Sequence, residues 1–218
     1  MKNLGMVIIG VIAVGVLVAG GFAMYESRPD RSLARREAAW GVHIQPGDVV
    51  LQDLACGLRC NLIRDVTKSR YTQVGVVLEK DGKREVWESF GPVASVPLED
   101  WVDRGKEGRI AVYRPKQVDL AKLDAAVRSF AGKPEDMEFS WTDDAVYASE
   151  LVEKSFERAG DPLVTPHTLD ADVLKQHERG IRGLTHGNLT PQLPVVMPVD
   201  FTRSDRLTRV VDELTEAP

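Results

Sequence analysis

A β-hairpin is the feature that most restricts how this chain can fold. Two apolar runs, YTQVGVVLEK and REVWESF, flank the pair Asp81-Gly82. An Asp-Gly pair between such runs favours a tight two-residue turn. The sequence therefore predicts two long antiparallel strands, around which the rest of the domain must be arranged.

The turn also sets the register of the hairpin. Lys80 is expected opposite Lys83, and Gly75 opposite Glu88. Gln73 shares a face with Gly75, because side chains alternate along a strand. Gln73 and Glu88 are then diagonal neighbours, roughly 7–8 Å apart at the backbone and within side-chain reach. Two polar side chains on one strand face are expected either on the solvent side of a hairpin or in a site.

Further elements are predicted on both sides of the hairpin. Short strands are expected at residues 49–51 and 108–114, and residues 53–68 have roughly helical spacing. A helix is predicted from Asp119, and residues 161–218 read as a wrapping tail. Strands followed by helices favour an α+β fold, with an antiparallel sheet packed on helices.

A second helix contains the position of greatest chemical interest. Its apolar spacing predicts a start at Asp143 or Asp144 and an end at Gly160. Ala148 is expected in its first turns, where unpaired N–H groups and the helix dipole favour an anion. A thiol there would have a lowered pKa and be a good nucleophile, whereas alanine has no reactive atom.

The N-terminus predicts a membrane segment. Residues 4–25, LGMVIIGVIAVGVLVAGGFAMY, carry no charge, and about 20 apolar residues suffice to span a bilayer as a helix. Residues 1–25 are therefore predicted to be a transmembrane helix in contact with membrane lipid, or else a cleaved signal peptide. Residues 26–41 are predicted to be a polar juxtamembrane spacer, and residues 42–218 the folded domain.

Composition excludes some classes of function. A net charge of −5 argues against binding of nucleic acid. Two cysteines cannot form a disulfide framework or a four-thiolate zinc site. The four histidines show no ligand spacing, so neither a metal nor another cofactor is predicted. They are His43, His167, His177 and His186.

Six motifs in order resemble a known family. They are GDVVLQ, SRYTQVGVVLE, VWES, VPLEDWV, YASELVEKSFERAG and PVVMPVDFTRSDRL, spread over residues 47–207. This pattern resembles the permuted papain-like hydrolases of the NlpC superfamily, the YiiX/YebB-like group. The resemblance implies a permuted papain-like (NlpC-type) fold and descent from thiol hydrolases that cleave amide or ester bonds. Peptidoglycan peptides and lipids are the substrate classes it implies.

The resemblance also assigns roles to positions. In that group a histidine base lies on the first hairpin strand, an orienting acid on the next, and the nucleophilic cysteine at a helix start. Here Gln73 stands at the base position, Ala148 at the nucleophile position, and Glu88 at the acid position. Together with Tyr147 and Ser149 they form the predicted ligand-binding cleft. Thiolate catalysis needs both a nucleophile and a base, so no cysteine-hydrolase activity is predicted.

Other assignments of the chemistry remain open at this point. Ser149 adjoins the lost nucleophile, but one residue along a helix rotates about 100° away. Cys56 and Cys60 are expected on one helix face, as small buried thiols, a disulfide or a displaced nucleophile. For such a nucleophile, one of the four histidines would act as the base if the fold placed it beside the site. The alanine is also what an engineered inactive enzyme would contain.

The sequence thus predicts a membrane-tethered pseudoenzyme. Its degenerate cleft is expected to bind a cell-envelope, lipid or protein ligand. The alternatives are an active amide or ester hydrolase with a displaced nucleophile, an engineered inactive form of one, and a structural component of envelope assembly. The domain is expected to be extracytoplasmic (periplasmic). The arginines after residue 25 leave the orientation open, since positive charge favours the cytoplasmic side.

Overall fold

The structure, a computed structural model, describes residues 31–184 and 193–215. Contacts within the chain divide it into two units, Met1–Gly41 and Val42–Pro218. In the first unit, the described part is helix α1 (Arg31–Trp40), and the amide N–H of Gly41 donates to the Ala38 carbonyl at its end.

The predicted membrane segment, residues 1–25, lies outside the described residues. Within the described residues, no helix combines the length and the apolar character needed to cross a bilayer.

The second unit contains a six-stranded antiparallel sheet with helices. The strands have the order β4-β3-β2-β1-β5-β6 across the sheet. In chain order the elements are β1 (Val49–Gln52), α2 (Leu58–Thr67), β2 (Gln73–Lys80), β3 (Lys83–Ser89), β4 (Val93–Pro97), α3 (Leu98–Arg104), a short 3-10 turn (Lys106–Gly108), β5 (Ile110–Pro115), α4 (Leu120–Arg128), α5 (Ala148–Ala159), α6 (Ala171–Gln176), α7 (Glu178–Leu184), α8 (Pro198–Phe201) and β6 (Leu207–Asp212). The predicted α+β class and antiparallel sheet are confirmed.

The central hairpin has the predicted turn. Lys80 pairs with Lys83, and the two residues between them, Asp81 and Gly82, have φ angles of 53° and 74°. Positive φ at both positions is the geometry that follows the twist of the strands, and it is why Asp-Gly is preferred there.

One face of the sheet holds the main core. Alternate residues of the central strands point to this face, among them Val49, Leu51, Val74 and Val76. They pack with buried side chains of α4 and α5, which are Leu123, Val127, Leu151, Val152 and Phe156. The helix pair therefore lies over the middle of the sheet, with the start of α5 close to the start of β2.

Helix α5 begins at Ala148, so the predicted start at Asp143 or Asp144 is wrong. The carboxylate of Asp143 accepts a hydrogen bond from Lys154 Nζ at 3.0 Å, so it anchors the side of the helix instead of capping its end. Tyr147 is extended (φ −92°, ψ 169°), and its N–H donates to Glu150 Oε2 at 3.3 Å. The predicted end is correct, because Gly160 closes the helix at a φ of 96°.

The C-terminal region does more than wrap the domain. Strand β6 pairs with β5 and forms one edge of the sheet. The sequence pattern hid this strand because the pairing register shifts between Val112 and Tyr113, so apolar residues do not alternate cleanly along β6.

Candidate functional site

The predicted contact between Gln73 and Glu88 is present. Gln73 Nε2 donates to Glu88 Oε2 at 2.8 Å and to the carbonyl oxygen of Ser89 at 3.3 Å. Both side chains are buried, with 5% of Gln73 and 3% of Glu88 exposed. The solvent-side explanation of this polar pair is therefore wrong.

Glu88 is held on its other side by two donors from α3. Trp101 Nε1 donates to Oε2 at 2.9 Å, and Arg104 Nη2 lies 2.7 Å from both carboxylate oxygens. Because α3 covers this carboxylate, Glu88 lies behind Gln73 and does not line the groove described below. The prediction that Glu88 lines the cleft is therefore wrong.

The start of α5 is fixed to the hairpin. Ser89 Oγ donates to the carbonyl oxygen of Val146 at 2.7 Å, two residues before Ala148. Tyr147 Oη accepts the N–H of Val196 at 2.9 Å, and burial raises the pKa of this phenol well above its usual value. Ala148 is thereby the first residue of a helix whose first N–H groups lack intrahelical partners.

A groove runs past these residues. Four of the five predicted cleft residues line it: Gln73, Tyr147, Ala148 and Ser149. Its empty space, with the open mouth included, is about 930 Å³. Most of the remaining wall is aliphatic, aromatic or sulfur-containing, namely Leu54, Cys56, Cys60, Leu62, Ile63, Val66, Phe90, Met137, Phe139, Leu169, Ile181, Leu184, Val195, Val196, Met197 and Pro198. Such a wall suits an apolar chain.

Two residues of this wall, Phe139 and Tyr147, belong to an aromatic cluster with Trp141. The rings of Phe139 and Tyr147 are 4.7 Å apart, and those of Trp141 and Tyr147 are 6.4 Å apart. Phe139 and Trp141 both have a φ of 55°, which is unfavourable for bulky side chains. The turn is held by Asp136, whose carboxylate accepts the N–H groups of Glu138 and Ser140. Strain of this kind is often found where a wall is shaped for a ligand.

The two cysteines are joined by a disulfide. Cys56 and Cys60 both line the groove, but neither has a free thiol. Cys56 precedes α2 because Gly57, at a φ of 66°, turns the chain before the helix, so the expected arrangement on one helix face is wrong. Of the alternatives expected for these two cysteines, the disulfide is the one present.

None of the described histidines lines the groove. His167 is half exposed, and its Nε2 lies 3.0 Å from Asp200 Oδ2. Its backbone pairs with Val195, which lines the groove, but the His167 side chain is not part of the wall. His43 and His177 are likewise absent from the groove wall, and His186 lies outside the described residues. Ser149 therefore has no imidazole beside it among the residues that the structure describes.

Sequence reasoning missed Trp101 and Arg104, which hold Glu88. The motif VPLEDWV contains Trp101 and was a usable signal, since a tryptophan N–H needs a partner when it is buried. It also missed the far wall, such as Met197, because residues distant in sequence form it.

Comparison with known proteins agrees with this geometry. The family described as "Permuted papain-like amidase enzyme, YaeF/YiiX, C92 family" matches residues 43–211. The uncharacterized protein YiiX of Escherichia coli strain K12 is 32% identical over 119 residues, which are 53% of this chain and 58% of that protein. The aligned region thus spans less than two thirds of that relative.

A solved structure is also similar. The crystal structure of the metalloprotein YiiX from Escherichia coli O157:H7 superposes with a TM-score of 0.69 at 28% identity, covering 78% of this chain and 97% of the other. The matched residues 43–211 include the hairpin that bears Gln73 and Glu88 and the helix that starts at Ala148. This chain belongs to the family of permuted papain-like amidases of the YaeF/YiiX type.

Proposed function

We propose that this protein is a pseudoenzyme that binds an apolar ligand of the cell envelope without cleaving it. One observation carries the proposal: a groove is retained, but the residue at its helix start is Ala148 and the residue on its strand is Gln73. An alanine methyl group cannot attack a carbonyl, and a carboxamide does not take up a proton near neutral pH.

The alternative of a displaced nucleophile has less support. The sulfur atoms in the groove wall are bonded to each other, and Ser149 has no histidine beside it among the described residues. A serine needs a base even more than a cysteine does, because its hydroxyl is a weaker acid. Binding is the function that the remaining side chains can perform.

The lining of the groove favours a lipid over a peptide. A peptide would bury polar backbone groups against a mostly apolar wall and leave them without partners. An acyl chain has no such groups, and about 25 cal/mol is gained for each Å² of apolar surface removed from water. The segment around Met197 lines the groove and does not fill it, which supports binding over a purely structural role.

A metal site is not supported by the donor set, although the similar YiiX crystal structure is that of a metalloprotein. Among the described residues, no group of three or more His, Cys, Asp or Glu side chains is placed to hold a metal ion. Two carboxylates line the groove, but Glu135 is paired with Arg59, and Asp136 accepts the N–H groups of Glu138 and Ser140. The carboxylate of Glu88, behind Gln73, is committed to Arg104 and Trp101. These residues do not fit a resident metal.

Membrane tethering and an extracytoplasmic position are part of the proposal. They are supported by the uncharged run at residues 4–25 and by the disulfide, since disulfides persist in oxidising compartments. We expect the full chain to stay in the membrane fraction after carbonate extraction and to be digested by protease added to spheroplasts. Release into the carbonate wash would contradict the anchor, and full protection from protease would contradict the orientation.

Binding and lack of reactivity can be tested together. We expect a fluorescent acyl-chain probe to bind the unmodified protein and to bind at least 10-fold more weakly to Ala148→Trp, which fills the groove. Ala125→Trp, at an exposed position of α4, is the matched control and should bind as the unmodified protein does. We also expect no labelling of the unmodified protein by activity-based thiol or serine probes, and labelling of the double variant Ala148→Cys, Gln73→His.

Two outcomes would contradict this function. Labelling of the unmodified protein that one point mutation abolishes would show a displaced nucleophile. Equal probe binding by Ala148→Trp and Ala125→Trp would show that the groove is not the binding site.

A further inference from the structure

The amide of Gln73 has only one free polar atom. A primary amide nitrogen carries two hydrogens, and Gln73 Nε2 has two acceptors, the carboxylate of Glu88 at 2.8 Å and the carbonyl oxygen of Ser89 at 3.3 Å. Its Oε1 makes no hydrogen bond within the part of the chain that the structure describes. Because Gln73 lines the groove, this oxygen is the atom that a ligand would meet.

The amide is also locked in this orientation. Turning it over would place Oε1 against two acceptors, and the nitrogen would lose both partners. Glu88 cannot adapt to such a turn, because Arg104 and Trp101 already hold its two oxygens at 2.7–2.9 Å. With 5% of the side chain exposed, Gln73 also has little room to swing away. At Gln73 the groove wall therefore presents a fixed hydrogen-bond acceptor.

We propose that Gln73 is a specificity determinant which selects an apolar chain ending in a hydrogen-bond donor, a hydroxyl or an N–H group. This inference rests on the proposed function of the groove. A head group that can only accept would face Oε1 without a proton between them and would displace the water that otherwise satisfies it. A buried acceptor left without a partner weakens binding more than an ordinary hydrogen bond strengthens it.

Two isomeric probes isolate this effect. Decan-1-ol and nonyl methyl ether have the same atoms, but only the alcohol donates a hydrogen bond. Each would be titrated against the full-length protein by displacement of a fluorescent acyl-chain probe. We expect the alcohol to bind about 10-fold more tightly than the ether, which corresponds to about 1.4 kcal/mol.

Variants assign the preference to Gln73. In Gln73→Met, which keeps the length of the side chain without the acceptor, the affinity of the alcohol should fall to that of the ether. Gln117→Met, at an exposed position, is the matched control and should keep the 10-fold preference. If Gln73→Met does not fold, Glu88→Gln replaces it: a neutral amide at position 88 lets Gln73 turn over, and the preference should fall below about threefold.

The outcomes separate the two proposals. If neither probe binds the unmodified protein, the proposed function is wrong. If both bind with equal affinity, the groove binds apolar chains but the selection by Gln73 is wrong. A preference for the alcohol that survives both Gln73→Met and Glu88→Gln would overturn the inference as well.

Discussion

Glu88 stands where the family resemblance expects an orienting acid, and in this structure it holds an amide. The family resemblance gives this acid the role of orienting a histidine base, and here the residue at that place is Gln73. The carboxylate instead receives Gln73 Nε2, Trp101 Nε1 and the guanidinium of Arg104. Its negative charge is thus compensated inside the protein, and its remaining task is to hold an amide in one orientation.

This ion pair predicts an unequal cost for removing two arginines. Arg104→Ala would leave the buried Glu88 carboxylate without its counter-charge and should lower the free energy of unfolding by about 2–4 kcal/mol. Arg109→Ala removes the partner of the exposed Glu107 and should cost less than about 1 kcal/mol. Chemical denaturation of both variants measures this difference. Equal losses would show that the Arg104 pair has no special weight.

Helix α5, which begins at Ala148, also carries two buried acids, Glu150 and Glu153. Burial is the main cause that raises the pKa of Glu150 to about 7, in spite of the ion pair with Lys154 at 2.8 Å. Burial likewise raises the pKa of Glu153 to about 7, although the N–H groups of Leu163 and Val164 donate to its carboxylate. The folded state therefore favours the neutral form of both side chains.

These raised values predict a stability that falls with rising pH. Each folded-state pKa is above the ordinary value of 4.5, so the folded protein holds protons that the unfolded chain has released. Stability should therefore decrease between about pH 4.5 and pH 7, by at most about 1.4 kcal/mol per pH unit for each acid. Denaturation at several pH values measures this slope.

One variant identifies the source of the slope. Glu153→Gln keeps an oxygen that can accept from Leu163 and Val164, and it should remove about half of the pH dependence. Glu79→Gln, at an exposed position of β2, is the control and should leave the slope as it is. A stability that is flat or rises over this pH range would contradict the assignment.

At the scale of the whole molecule, some parts of the fold could be predicted from the sequence and others could not. The hairpin was predicted with its register, because an Asp-Gly turn permits few geometries, and Gly160 marked the end of α5 for a similar reason. The start of α5 was predicted wrongly, because Asp143 resembles a helix cap in the sequence but its carboxylate binds Lys154 in the structure. Strand β6 was missed because its pairing includes an irregular register.

The same division holds for the candidate site. Local rules placed Gln73 beside Glu88, and the resemblance led to the prediction that Ala148 lies at a helix start, where the structure has it. The groove around these residues could not be predicted from the sequence. Its far wall comes from residues such as Met197 and Ile181, which are distant in sequence from the hairpin.

The sequence by itself thus determined the hairpin, the α+β class and the contact between Gln73 and Glu88, since these depend on turn chemistry, periodicity and strand register. Only the tertiary structure decided that Glu88 lies behind Gln73, that Arg104 compensates its charge, and that the free oxygen of the Gln73 amide is available to the groove. Those facts depend on how α3 and the C-terminal segments pack on the sheet. Packing of that kind joins residues far apart in the chain, and no local pattern records it.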